Sequence, residues 1–104
     1  MRTAAKKDIN QTPIIDLLRK VPGVSVLITS QLGKGAPDFI IGYQQKNYMI
    51  ELKNPDMPPS KRKLTKDEKK FHAQWAGQID IALTFEDCLR IIGIEVYDPG
   101  DIPF

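Results

Sequence analysis

Two acids and a lysine stand out as a group able to do chemistry: Asp38, Glu51 and Lys53. In the run Tyr48-Met49-Ile50-Glu51-Leu52-Lys53, β-strand alternation projects Glu51 and Lys53 to one face and Ile50 and Leu52 to the other. The run Asp38 to Tyr43 is also β-type, and Gln44-Gln45-Lys46-Asn47 between the two is short enough for a hairpin. A regular hairpin that pairs Tyr43 with Tyr48 carries Asp38 opposite Lys53, on the same face as Glu51. Opposed β-carbons then lie about 5 Å apart and diagonal ones about 7 Å, so one ion can touch both carboxylates. Hard cations such as Mg²⁺ combine one or two carboxylates with waters and substrate phosphate. Asp38 and Glu51 suit that role, while Lys53 suits orienting an attacking water or offsetting charge that builds on a phosphate.

E-x-K by itself is common, and a surface pair on an edge strand with Asp38 in a turn is the plainer reading. The residues ahead of Asp38 add to the chemical one. Gly33-Lys34-Gly35-Ala36-Pro37 is a flexible run whose small residues let a phosphate backbone approach, and Pro37 fixes the backbone where the strand begins.

The elements that position these residues are legible on either side. Ile14, Leu17, Leu18 and Val21 fall at helical spacing within residues 8 to 21, an amphipathic first helix. Asp8 with Gln11, or Thr12 with Pro13, caps it, and Pro22-Gly23 ends it. Three β-type runs follow, Ser25 to Thr29, Asp38 to Tyr43 and Tyr48 to Lys53. Residues 54 to 64 hold three prolines and read as a loop. Thr65 and Glu68 fit a capping box for a helix to about Gln78, with Phe71 and Trp75 on one face. Ile79 to Leu83 is a fourth strand, and Thr84 opens a last helix through Ile92 that Gly93 stops. The expected fold class is α/β, in the order αβββαβα, with a mixed central sheet flanked by helices. The tail from Glu95 has no clear element, although Ile102 and Phe104 are apolar enough to dock.

A length of 104 residues suits one compact domain, with a core over about residues 8–93 and a tail over 94–104. Apolar residues at 41% and charged residues at 27% exclude wholesale disorder. The net charge of +2 is unevenly placed. Between Lys61 and Lys70 six basic residues face two acidic ones, a local +4 that leaves −2 on the other 94 residues. A basic segment on a near-neutral body implies a placed contact with a polyanion, unless it is a solvated helix face with its preceding loop. The single cysteine, Cys88, excludes an intramolecular disulfide and a thiolate-rich metal site. It points to a reducing, cytoplasmic setting. No apolar run has the length of a membrane helix or the placing of a secretory signal.

The other candidates are weaker. His72 has no partner nearby in sequence to make it a general base, and it reads as a partly exposed helix residue. Trp75 is able to stack on a base, but its spacing from Phe71 favours the core. Cys88 has no basic neighbour to activate it and reads as buried. Tyr43 and Tyr48 face each other in the expected hairpin and serve packing.

Pro37-Asp38 followed by Glu51-Leu52-Lys53, in the segments GAPDFIIG and YMIELK, resembles the PD-(D/E)XK nuclease motif. The stretch LTKDEKKFHAQWAGQIDIALTFEDCLRIIG is similar to the distal half of stand-alone VRR-NUC domains, small nucleases common in phages and prophages. The resemblance runs from about residue 8 to 93. It implies a restriction-endonuclease-like core that cuts DNA phosphodiesters with Mg²⁺ or Mn²⁺, with branched DNA such as a Holliday junction as the preferred target. The motif acids map to Asp38 and Glu51 and the lysine to Lys53, and the Leu52 carbonyl becomes a further metal ligand. Many members add an acidic residue from the first helix. This chain offers Gln11 there, with Asp8 and Asp16 nearby, and Gln11 reads equally as an inward-facing site residue and as a helix cap.

On that reading the phosphate contacts are Lys34, Lys61, Arg62, Lys63, Lys66 and Lys70, with Ser30 and Gln31 close by. A four-way junction needs two cuts, so a two-fold homodimer is the expected working unit. A non-catalytic DNA-binding module and a phage interaction protein are the alternatives from other classes.

Overall fold

The computed structural model describes residues 11–96. The expectations for Asp8, Ile102 and Phe104 lie outside these residues. The elements are α1 (Gln11–Arg19), β1 (Val24–Ile28), β2 (Phe39–Tyr43), β3 (Lys46–Leu52), α2 (Lys66–Gln74), β4 (Asp80–Ala82) and α3 (Phe85–Ile91), with short 3₁₀ turns at Ser30–Leu32 and Pro59–Lys61. The fold is α/β. Its four-stranded mixed sheet has the order β1-β2-β3-β4, antiparallel except where β4 joins β3 in parallel.

Strand alternation divides the sheet into a buried apolar face and a second face on which Asp38, Glu51 and Lys53 stand beside Leu27, Ile40, Met49 and Ile81. Phe39, Ile41, Ile50, Leu52 and Ala82 are fully buried on the first, packed with Ile14, Ile15 and Leu18 of α1, with Cys88 of α3 and with Ile92 just after it. Side chains of the Ile, Leu and Phe type contribute roughly 1.5–3 kcal/mol each on burial. That face fixes the strands in place. On α1 the inward set is Gln11, Ile14, Ile15 and Leu18. Leu17, expected on the buried side, is 45% exposed, because the helix turns its Ile15 side toward the sheet instead.

The β2–β3 hairpin is tighter than the sequence reading has it. Tyr43 pairs with Lys46, leaving Gln44-Gln45 as the turn, and Tyr48 pairs with Ile41. Both turn residues have positive φ, 51° and 66°, the geometry that lets a two-residue turn follow the twist of its strands. Tyr43 and Tyr48 are therefore diagonal neighbours and not an opposed pair. The register moves by two residues, so every side chain keeps its face.

Helix α2 also ends early, at Gln74, and Trp75 takes an extended conformation. Beyond it, the Gln78 side chain accepts the Met49 N–H at 2.7 Å and donates to the Met49 carbonyl at 3.0 Å. This imitation of a strand pair draws residues 76–78 away from the helix just ahead of β4. Trp75, expected in the core, is 44% exposed and stacks on Phe71 at 5.4 Å.

Candidate active site

Asp38 lies just before β2 and is held at several points. Its N–H donates to the Ile50 carbonyl at 3.0 Å, and its own carbonyl accepts the Thr29 N–H at 2.9 Å. The Thr29 hydroxyl donates to the Pro37 carbonyl at 2.7 Å. The Asp38 carboxylate Oδ2 accepts the Leu52 N–H at 2.7 Å. The aspartate thus stands against β3 in a fixed position, and the β2–β3 register extended by one residue puts it opposite Glu51, not Lys53.

Glu51 is only 2% exposed although β3 carries it on the face opposite Ile50 and Leu52. Its Oε1 is buried without a hydrogen-bond partner. Burial first, then the negative charges of Asp38 and Glu68, push its carboxyl from the ordinary 4.5 up to about 10. A solvated surface pair on an edge strand has no such environment, and β3 is an interior strand.

Lys53 follows β3 on the same face, with Nζ 3.9 Å from Glu51 and 2.7 Å from Glu68. Burial acts to lower the lysine pKa, but the Glu68 hydrogen bond and the charges of Glu68, Glu51 and Asp38 outweigh it and hold the ammonium charged. For Glu68 burial acts upward, and the bonds from Lys53 and the Thr65 N–H bring its carboxyl below the ordinary value.

Glu68 is the residue that sequence reasoning missed. Its Oε1 accepts both Lys53 Nζ at 2.7 Å and the Thr65 N–H at 2.9 Å, so the capping box of α2 also holds the lysine. The capping pattern was visible in the sequence. Its link to Lys53 depends on α2 folding back over the sheet.

The approach to Asp38 differs from the open, glycine-rich path expected. A β-carbon at Gly35 would collide with the main chain of Asp67 and Glu68, so that glycine lets the loop dock on the first turn of α2. The close approach there is made by the protein itself. Gly33 has open space around it, and Lys34 is exposed.

Gln11 is 3% exposed on the inward side of α1. Asp16 points outward. Lys61, Lys63, Lys66 and Lys70 are exposed and Arg62 is half-buried, as is Ser30, while Gln31 is exposed. Leu52 is fully buried and its N–H serves Asp38. His72 is half-buried with Nε2 lacking a partner. Cys88 is fully buried, and burial, then the charges of Asp87 and Glu86, push its thiol up to about 12. It is no nucleophile.

Among the described residues no three His, Cys, Asp and Glu side chains are grouped to hold a metal ion, and no helix is long and apolar enough to cross a membrane. The fit to a divalent ion rests on a smaller set. Asp38 and Glu51 supply hard oxygen donors from paired positions, and the unsatisfied Glu51 Oε1 and its mutual repulsion with Asp38 are both relieved by a cation. No family model, curated protein or solved structure matches the chain.

Proposed function

We propose that this chain is a divalent-metal-dependent DNA endonuclease of the PD-(D/E)XK type, close to the stand-alone VRR-NUC domains. The observation that carries the reading is the burial of Glu51 directly across from Asp38, with Lys53 held beside it. Keeping a carboxylate dry next to another carboxylate costs stability, and a site that binds a cation explains why such an arrangement persists. A module that only grips DNA has no use for it.

Asp38, Glu51 and the Leu52 carbonyl would hold Mg²⁺ or Mn²⁺. A bound ion of this kind activates water and offsets charge on phosphate oxygens. Lys53, charged and anchored by Glu68, donates toward the phosphate oxygen on which negative charge grows. Gln11 belongs to the site only through the resemblance; it is buried on the side of α1 whose Ile14, Ile15 and Leu18 pack on the apolar face of the sheet. Lys34, Lys61, Arg62, Lys63, Lys66 and Lys70 serve as the electrostatic contact to the DNA backbone.

Branched DNA as the target rests on the resemblance. A homodimer provides the two cuts that a junction needs, and the edge strand β1, with Leu27 64% exposed and Leu32 75% exposed just after it, offers apolar surface for a second copy. The test is a titration of Mg²⁺ and of Mn²⁺ with supercoiled plasmid and a synthetic four-way junction. Cutting that needs the ion and favours the junction is expected, and no cutting of either substrate with either ion would overturn the reading.

A further inference from the structure

A cavity of about 510 Å³ opens beside Lys53, with Arg62 and Arg90 at its rim and Ile81, Leu83 and Ile91 along its floor. Its walls come from the 3₁₀ turn after β3, from β4 and the residue after it, and from α3. Two features mark it. The floor is apolar, and Ile81 is 48% exposed. The cations that line it are Lys53, Arg62 and Arg90; Lys53 pairs with Glu68 at 2.7 Å, and Asp87, which also accepts the Leu83 N–H at 2.9 Å and the Thr84 N–H at 3.3 Å, holds Arg90 at 3.4 Å. Arg62 adds a buried Nε–H with no acceptor. A buried donor left unpaired is unfavourable, so an acceptor from outside is favoured there.

The cavity is continuous with the candidate active site. Ile81 is the register partner of Glu51 across β3 and β4, so the two side chains share a face. Lys53 therefore shares one lining with Ile81, Leu83 and Ile91.

We propose that this cavity is a nucleotide subsite, taking the sugar and base of one nucleotide on its apolar floor and a phosphate between Arg62 and Arg90. The assignment of DNA as the source of that nucleotide rests on the nuclease reading, whereas the nucleoside-phosphate chemistry rests on the cavity. Arg90 was not among the residues expected from the sequence to meet DNA, because it lies far from the basic run.

The probe is thymidine 5′-monophosphate, titrated into the metal-free protein and followed by amide shifts in NMR, with thymidine and inorganic phosphate as separate arms. The nucleotide should perturb Arg62, Ile81, Leu83, Arg90 and Ile91 and bind at least about tenfold more tightly than either fragment. Arg62→Ala and Arg90→Ala should each weaken it about tenfold, in line with removal of a charge-assisted hydrogen bond. Arg90→Lys keeps the charge near Asp87 and guards against a folding defect. Shifts confined to other residues, or nucleotide affinity unchanged in both alanine variants, would overturn the subsite. A wild type that binds the nucleotide here yet cuts no DNA would sink the nuclease reading and leave the subsite standing. Normal cutting with no nucleotide bound in the cavity would do the reverse.

Discussion

Glu51→Gln should make the metal-free protein more stable at neutral pH while abolishing its response to metal. In the folded chain burial and the neighbouring charges raise this carboxyl to about 10, so between 4.5 and about 10 the native state holds a proton that the unfolded state has released. The native state binds more protons throughout that window, and stability must fall as pH rises, by up to about 1.4 kcal/mol per pH unit. At pH 7, some 2.5 units above the ordinary value, the accumulated penalty is about 3 kcal/mol. Glutamine has no such penalty, and its amide N–H groups can donate to the neighbouring acids.

For a domain of this size a gain of that order raises the melting temperature by roughly 12–20 °C. Thermal melts of both proteins with a chelator, from pH 4.5 to 8, should show curves that coincide at the acid end and diverge steadily above it. Saturating Mg²⁺ should raise the wild-type melt, since an ion that binds only the native state stabilises it, and leave the variant nearly unmoved. A variant no more stable than wild type at pH 7 in chelator, or a gap of the same size at pH 5 and pH 8, would refute the reasoning about a dry, repelled carboxylate.

Asp38→Asn and Lys53→Ala should each abolish cutting in proteins that still fold, checked by plasmid assay beside circular dichroism. Wild-type rates in either would remove that residue from the site. Glu68→Ala should lower the cutting rate at saturating DNA at least about tenfold, whereas Thr65→Ala, which removes the other half of the capping box, should cost about 1 kcal/mol in a melt and leave the rate near wild type. Equal effects on rate would reduce Glu68 to a helix cap. Neutralising Lys61, Arg62 and Lys63 together should flatten the salt dependence of duplex binding by about 0.9 units of slope for each phosphate no longer neutralised, and an unchanged slope would return the loop to ordinary solvated surface. Light scattering at micromolar concentration should find twice the 11.8 kDa chain mass, and a monomer that persists on junction DNA would favour nicking.

The order of elements was legible because each helix and strand carries its own signal: helical spacing in α1, β-type runs in β1 to β3, capping patterns ahead of α2 and α3. The face shared by Asp38, Glu51 and Lys53 was legible for a stronger reason. Alternation is insensitive to a register error of two residues, so the wrong turn still delivered the right face. The turn itself was hidden because Gln44-Gln45 lacks the Asn-Gly or Asp-Gly that usually announces two positive φ values. Glu68 and Arg90 were hidden differently. Their meaning depends on where α2 and α3 come to rest against β3 and β4, and local periodicity says nothing of that.

The two faces of β3 divide two demands that conflict at any single position. Ile50 and Leu52, with no exposure at all, lock the strand to the helices behind it, and that packing is what permits Glu51 between them to stay dry beside another acid. Removing water from the pair strengthens every charge interaction in the site, including the pull of Lys53 and Glu68 on each other at 2.7 Å. The same dryness leaves Glu51 Oε1 without a partner. A cation supplied from solution answers that deficit, and the strand is held rigid by its apolar side whether or not the ion is bound. The charged side is thus free to be unfavourable on its own, as a site whose binding energy comes from relieving it must be.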